Sequence, residues 1–295
     1  MSGGSDTAKE LAPPTQAATV SPTRAAEART AGMLMAGLRD FWVRAALAIS
    51  LLVPIYFLVG ALGTKFGLLD WRVGFGLMTF QLGGPVLLGA GAIALIGLAL
   101  SALITPRRGA MSALIALLIP ALGLGYALYV RQQAQSIPPI HDISTDLVDP
   151  PAFSQGVAAT REAMGGNDLD LLNKRTGDGR AFVDLQRESY GDIAPVVTSV
   201  PPAMAYETAL ALATEQGWNV QRADPTALVI EATASTFWYG FIDDIAIRVR
   251  PEAAGARVDV RSVSRVGRSD LGANAARMRP YLAELRTRLD AEATP

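Results

Sequence analysis

The chain contains 295 residues, and its 26 lysine and arginine residues are balanced by 27 aspartate and glutamate residues. A net charge of −1 provides no basic field that would attract nucleic acid, so no nucleic-acid partner is expected. The absence of cysteine excludes disulfides, thiolate nucleophiles and cysteine-ligated zinc or iron–sulfur sites.

The chain begins with a region that is rich in alanine, threonine, serine and proline. Such a composition buries too little apolar surface to offset the entropy lost on ordering. The first apolar run also begins too late for a cleavable signal peptide. Residues 1–40 are therefore predicted to form a disordered cytoplasmic tail.

Three uncharged apolar runs follow, at residues 45–63, 85–105 and 110–130. Each has the length of about 20 residues that a helix needs to cross a bilayer core. They predict a three-helix transmembrane anchor over residues 41–131, with a kink at Pro54 and an interfacial or half-inserted segment at residues 73–84. No ionisable residue interrupts the runs, so nothing indicates an ion path or a proton relay.

The cations that flank these runs predict the orientation of the anchor. Four arginines flank the runs on one side of the membrane: Arg39, Arg44, Arg107 and Arg108. Three cations flank them on the other side: Lys65, Arg72 and Arg131. The larger group marks the cytoplasmic side by the positive-inside rule. The chain is therefore expected to be a multi-pass protein of the bacterial inner membrane, with a cytoplasmic N-terminus and a periplasmic C-terminal domain.

Residues 132–295 have the composition of a soluble domain. A proline-rich linker, residues 132–153, leads to a strand at 196–200 and a helix that ends at Gly217. Four segments of alternating polarity then predict four further strands. A last helix is predicted to begin with Ser269 or Asp270 as its N-cap and to kink or break near Pro280. The fold class is α+β: three transmembrane helices, then a two-layer domain of antiparallel sheet with two main helices.

The linker contains the single histidine of the chain, His141, in the stretch "IHDISTD". With no second histidine and no cysteine, a transition-metal site is not expected. The aspartates resemble the start of a calcium loop, but Leu147 and Phe153 stand where glycine and glutamate belong. No serine-hydrolase elbow or phosphate loop occurs either. No metal or cofactor is predicted, and a structural role for His141 is favoured over catalysis.

Alternation along two neighbouring strands predicts a face of the sheet that carries charge. Asp244, Arg248 and Arg250 lie on this face, on the side opposite Asp243, and Arg248 can oppose Asp259 across a hairpin. Two interpretations remain open. The charges either form a solvated face of weak ion pairs, or the arginines receive an anion, a lipid headgroup or the aspartates of the linker. The residues involved are Arg248, Arg261, Arg265, Arg268 and Arg277, with Asp142, Asp146 and Asp149.

Five stretches, "IHDISTD", "DPPAF", "YGDIAP", "FWYGFIDDIAIRVR" and "VDVRSVSRVGRSDLGANAARMRPYL", resemble the bacterial and plastid proteins grouped as domain of unknown function 1499. The resemblance covers residues 137–289, and the helical anchor is similar to that of bacterial members. It implies no established activity. The residues that match the family's motifs are His141, Asp142, Asp146, Asp243, Asp244, Arg248, Arg261, Ser262, Arg265, Ser269, Asp270, Asn274 and Arg277.

Two functions are consistent with these patterns. The first is a binding or scaffold module that is held at the membrane and presents charged residues to a lipid, a protein or another envelope component. The second is a membrane-anchored, hydrolase-like enzyme that uses His141 and a nearby aspartate as an acid/base pair. The first is favoured, because the sequence supplies no nucleophile motif, metal set or nucleotide loop.

Overall fold

The computed structural model describes residues 21–294. The α-helices are α1 Pro22–Lys65, α2 Gly83–Leu103, α3 Ala110–Gln135, α4 Gln155–Ala163, α5 Phe182–Ser189, α6 Pro202–Glu215 and α7 Ala273–Ala293, and a π-helix spans Arg72–Gln81. The strands are β1 Asp142–Ser144, β2 Val196–Thr198, β3 Asn219–Asp224, β4 Val229–Ser235, β5 Ile242–Glu252 and β6 Gly255–Ser264.

Helix α1 begins earlier than the apolar run predicts. Residues 22–40, expected to belong to a disordered tail, are helical, while residues 1–20 of that tail lie outside the described part. The difference has a local cause, because this stretch is rich in alanine, arginine, methionine and leucine, which favour helix. Pro22 stands at the first helical position, where proline costs no hydrogen bond.

Helices α1, α2 and α3 contain 44, 21 and 26 residues and are long and apolar enough to cross a membrane. The three predicted spans therefore correspond to three helices. Helix α1 continues through Pro54 as helix, and α3 continues through Pro120 in the same way.

The contacts of the chain define two compact units. The first takes in the chain up to Leu52 together with Gly89–Pro120. Small side chains pack in its interior, where Ala46, Ala94 and Ala116 are fully buried. Small residues let apolar helices approach closely, and polar groups between them then need a partner. Ser50 supplies such a contact by donating a hydrogen bond to the carbonyl oxygen of Ala116 at 2.7 Å.

The second unit takes in Val53–Leu88 and all residues from Ala121 onward. The segment predicted to be interfacial forms the π-helix of this unit, which packs on the second half of α1. Gly74 lies so close to α1 that an added Cβ would overlap the carbonyl oxygen of Gly60 and the side chain of Thr64. Tyr56 donates a hydrogen bond to the carbonyl oxygen of Met78 at 2.8 Å. The π-helix is thereby fixed against α1.

The part of the chain after α3 contains one antiparallel sheet with the strand order β1-β6-β5-β4-β3, and β2 pairs with β6 beside β1. The five predicted strands are present, and β1 in the linker is the sixth. Strand β1 was not predicted, because a strand of three residues is too short to show alternation. Its outer edge is covered by α5, where the side-chain amide of Gln186 bonds both the N–H and the C=O of Ser144.

Helices α6 and α7 pack on one face of this sheet, which confirms the two-layer α+β prediction. Ile245, Ile247 and Val249 of β5 lie on that face and are buried with Tyr281 and Leu285 of α7. Helices α4 and α5 were not predicted, because they have nine and eight residues and a short apolar stripe.

The start of α7 differs from the prediction. Its N-cap is Gly272, which has a left-handed φ of 82°, rather than Ser269 or Asp270. Asp270 nevertheless satisfies free N–H groups there, because its carboxylate accepts hydrogen bonds from Gly272 and Asn274 at 2.8 and 3.0 Å. The helix continues through Pro280, so the expected break is absent.

Candidate functional site

The sheet face opposite α6 and α7 carries Asp244, Arg248, Asp259 and Arg261, and we call it the charged face. Arg248 opposes Asp259, as the hairpin predicted. The interpretation of a solvated face is wrong, because Asp244, Asp259 and Arg261 are 1, 0 and 3 % exposed. The chain from residue 145 to residue 174 lies across this face and excludes water.

Asp142 of the linker is bound at the centre of the charged face. Both of its carboxylate oxygens accept hydrogen bonds from Arg261, at 2.9 and 2.8 Å, and Lys174 donates a third at 3.1 Å. Arg261 also donates to the carbonyl oxygens of Pro151 and Leu169. The predicted docking of Asp142 is therefore present, in the two-pronged geometry that makes arginine–carboxylate pairs strong.

A second pair lies at one end of the charged face. The carboxylate of Asp244 accepts hydrogen bonds from Arg161 of α4 at 2.5 Å and from Arg265 at 2.7 Å. Arg161 is 2 % exposed and also donates to the carbonyl oxygens of Ser264 and Asn167. One buried guanidinium thus ties α4 and the turn after it to the sheet.

A third cluster occupies the opposite end of the charged face, beside the β5–β6 turn. Asp146 accepts hydrogen bonds from Arg250 and Arg257, both at 2.9 Å. Asp149 accepts from Arg248 and Arg250, at 3.1 and 2.9 Å. Although burial acts to raise the pKa of Asp146, hydrogen bonds from the N–H groups of Asp149 and Val148 and from Arg250 outweigh it and lower that pKa. Asp146 is therefore held as an anion against these arginines.

Four of the residues that match the family's motifs lie together on the other side of the sheet, under α7. Arg277 pairs with Asp243 at 2.6 Å and donates to Asn274 at 2.8 Å. The amide of Asn274 in turn contacts the hydroxyls of Ser262 and Ser264, at 2.6 and 3.0 Å. This network fixes the first turn of α7 on the sheet and is separate from the charged face.

The remaining predicted residues, Ser269 and Asp270, lie in the loop before α7. Ser269 accepts a hydrogen bond from the N–H of Leu271 at 3.2 Å. Burial raises the pKa of Asp270, and hydrogen bonds from N–H groups at the start of α7 oppose that rise. Both side chains stabilise the local backbone.

His141 is buried beside the charged face. Its ring lies edge-on to Phe182 with centroids 5.0 Å apart, and Nδ1 is 3.3 Å from the carbonyl oxygen of Arg268. Within residues 21–294, Nε2 has no hydrogen-bond partner. Asp142 does not orient the ring, since both of its oxygens bind Arg261 and Lys174. The pair that a hydrolase would need is therefore not formed.

Burial lowers the pKa of His141, and the nearby charge of Lys174 lowers it further. The unfolded chain, with an ordinary pKa of about 6.5, then binds a proton that the folded chain excludes. This contribution to stability is complete above about pH 6.5 and is lost as the pH falls below it, by at most about 1.4 kcal/mol per pH unit. We expect urea midpoints of the full-length protein in detergent to fall between about pH 6.5 and 5, and to fall less in His141→Gln. Equal slopes for the two proteins would contradict the assignment.

An open cavity of about 480 Å³ lies at the start of α5, outside the predicted cluster. It is lined by Arg175, Arg180 and Arg187 together with Asp184 and Glu188. Arg180 pairs with Glu188 and Arg187 pairs with Asp184, whereas Arg175 has no ion pair within the described residues. This cavity offers arginine side chains that water still reaches.

Across residues 21–294, no group of three or more histidine, aspartate or glutamate side chains is placed to hold a metal ion. The structure thus defines a class of protein: helices suited to a membrane, followed by an α+β domain whose charged sheet face is covered by residues 145–174. The model of the family described as "Protein of unknown function (DUF1499)" matches residues 142–285. The α+β domain therefore belongs to that family. No curated protein matches the chain.

The sequence analysis did not identify three cations that complete these pairs: Arg161, Lys174 and Arg257. Arg161 and Lys174 lie in a region without periodicity, so nothing local indicates their partners. Arg257 could have been found, because it opposes Arg250 in the predicted hairpin and lies on the same face as Arg248.

Proposed function

We propose that the protein is a non-catalytic binding or scaffold module, held at a membrane by its helices, whose domain binds an envelope component. One observation carries the proposal: the acidic and basic side chains that could perform chemistry are buried against each other. Asp142 and Asp244, for example, each accept hydrogen bonds from two cations. Groups held in this way serve rigidity rather than proton transfer.

The hydrolase-like alternative has less support. An acid/base pair requires a titratable group within reach of both a partner and a substrate. His141 is 7 % exposed, its Nε2 has no hydrogen-bond partner within residues 21–294, and the neighbouring Asp142 is fully buried.

The accessible arginines suggest which chemistry a ligand would have. Arg175, Arg180 and Arg187 line the open cavity, and a guanidinium binds phosphate or carboxylate through paired hydrogen bonds. An anionic envelope component, either a lipid headgroup or an acidic group of a protein, fits this surface better than a neutral one.

The location forms part of the same proposal. Arg39, Arg44, Arg107 and Arg108 favour a cytoplasmic N-terminus, and with three spans the domain would lie in the periplasm, at a bacterial inner membrane. A reporter that is active only in the periplasm, fused after Leu289, is expected to be active.

The binding role is tested with the full-length protein in nanodiscs of phosphatidylcholine. Phosphatidylglycerol headgroup analogues and an acidic peptide are titrated against wild type, Arg175→Ala and, as a matched control on the exposed edge strand β3, Arg222→Ala. Binding of either probe that weakens several-fold in Arg175→Ala and not in Arg222→Ala supports the proposal. Ester or phosphoester hydrolysis that disappears in a folded His141→Gln variant would overturn it in favour of an enzyme.

A further inference from the structure

The loop between β4 and β5, Thr236–Phe241, has the sequence "TFWYGF" and contains four aromatic residues. We call it the aromatic loop. Its backbone is closed on itself, because Thr236 exchanges hydrogen bonds with Phe241 and also accepts one from Gly240. The loop is therefore a defined structure with two of its rings on each side.

The inner rings of the aromatic loop bind the π-helix. Tyr239 and Phe241 stack with centroids 5.6 Å apart, and both pack edge-on against Phe75, at 5.1 and 5.3 Å. The hydroxyl of Tyr239 is 2.6 Å from that of Thr79. Aromatic contacts of this geometry add about 0.5–1.5 kcal/mol per pair to the burial of apolar area.

The loop also contacts the end of α1. Lys65, the last residue of that helix, donates a hydrogen bond to the carbonyl oxygen of Phe237 at 2.7 Å. Gly240 has a left-handed φ of 66°, and a Cβ added there would lie 3.1 Å from the Cα of Lys65. The loop thus lies at the level where a helix of spanning length ends.

The outer rings have no such partner within the described residues. Phe237 and Trp238 are 73 and 55 % exposed. The π-helix that the inner rings contact also exposes apolar side chains, since Phe80 is 80 % exposed and Leu77 is 41 % exposed. Lys65 lies 4.7 Å from the Phe237 ring, and Arg72 stacks on Trp71, whose ring lies edge-on to Phe241 at 6.5 Å.

Aromatic rings beside cations at the end of an apolar helix are the combination that proteins place in the headgroup region of a bilayer. We propose that the aromatic loop inserts Phe237 and Trp238 among phospholipid headgroups and so holds the α+β domain on the membrane surface. The partner is the bilayer itself, because the loop packs on a π-helix with exposed apolar side chains and on the end of a helix long and apolar enough to cross a membrane. The proposal requires the helices to span a membrane and is independent of the binding role proposed above.

The absence of cysteine permits a direct test, because a single introduced cysteine is the only labelling site. Trp238→Cys carries an environment-sensitive fluorophore in the full-length protein, in nanodiscs of phosphatidylcholine and phosphatidylglycerol. The matched control is Val148→Cys, which is 83 % exposed and lies near the other end of the sheet, beside the arginines that bind Asp149. The fold of each variant is checked by circular dichroism.

We expect the label at position 238 to emit at shorter wavelength than the label at 148. Lipids with a nitroxide in the headgroup should quench it several-fold more strongly, and aqueous iodide should quench it less. Adding Gly240→Val should weaken quenching of the label by the nitroxide lipids and strengthen its quenching by iodide, because the valine side chain would clash with Lys65 and displace the loop. Equal iodide quenching at both positions would overturn the proposal, and so would a blue shift without quenching by lipid, which would indicate a protein partner.

Discussion

Replacing Asp142 with alanine is expected to destabilise the α+β domain by about 3–5 kcal/mol. The carboxylate is fully buried, and its removal leaves two cations, Arg261 and Lys174, without an opposing charge in a site that water does not reach. An unpaired buried charge costs more than the pair contributed, because its desolvation is no longer offset. The expected loss is a large fraction of the stability of an ordinary domain.

The measurement follows the emission of Trp218 during urea unfolding of the full-length protein in detergent. Trp218 is buried and stacks on Tyr281 at 4.5 Å, and the other three tryptophans are first replaced by phenylalanine. Asp149→Ala is the matched control from the same linker. Its side chain is 64 % exposed, so a loss of about 1 kcal/mol or less is expected. Similar small losses in both variants would show that the linker is only a tether.

A double variant tests whether the loss comes from the pair itself. Asp142→Ala combined with Arg261→Met removes the carboxylate together with its main buried partner. The two changes should then cost less together than the sum of the single changes, because neither leaves the other charge unpaired. If the losses of unfolding free energy in the two single variants add up fully in the double variant, the destabilisation does not come from the Asp142–Arg261 pair.

Asp244→Ala is expected to have the second large effect, again about 3–5 kcal/mol. Arg161 is 2 % exposed and cannot turn to water, whereas Arg265, with 15 % of its side chain exposed, can. In the variant, Arg161 is therefore the cation that is left buried and unpaired. Because Arg161 connects α4 to the sheet, α4 should be the first element to lose its packing. Amide hydrogen exchange should rise first in residues 155–167, ahead of the helices α6 and α7.

The control for this variant is Asp184→Ala. Asp184 pairs with Arg187 on the surface of α5, where both side chains are more than half exposed, so the change should cost about 1 kcal/mol or less. Protection that is lost equally throughout the domain in Asp244→Ala, with no early opening of residues 155–167, would contradict a local tether at Arg161.

Much of the architecture could be predicted, because it depends on periodic patterns. Uncharged runs of spanning length predicted α1, α2 and α3, and alternation in β5 and β6 predicted both the hairpin and the pairing of Arg248 with Asp259. The errors occurred where a local pattern was weak. Strand β1 has three residues, and the N-cap of α7 is a left-handed glycine rather than a side chain that a sequence pattern identifies.

The sequence identified the candidate residues, but it did not show their environment. Alternation shows which side chains share a face of a sheet, and it does not show what covers that face. The cover comes from residues 145–174, which have no periodicity, and it is held by contacts between residues far apart in the chain. Arg261, for instance, donates to the carbonyl oxygen of Pro151, 110 residues away.

The sequence by itself thus determined the three helices long and apolar enough to cross a membrane, the α+β class, the hairpin and the complementary charges of the linker and the sheet. Each of these follows from hydrophobic period and local charge, which act between neighbours in the chain. Only the tertiary structure decided that the charges are buried, that Arg161 and Lys174 complete them, and that the aromatic loop meets the π-helix. Those outcomes depend on which distant segments share the same space, because burial converts weak surface pairs into strongly coupled ones and removes them from reaction with solvent.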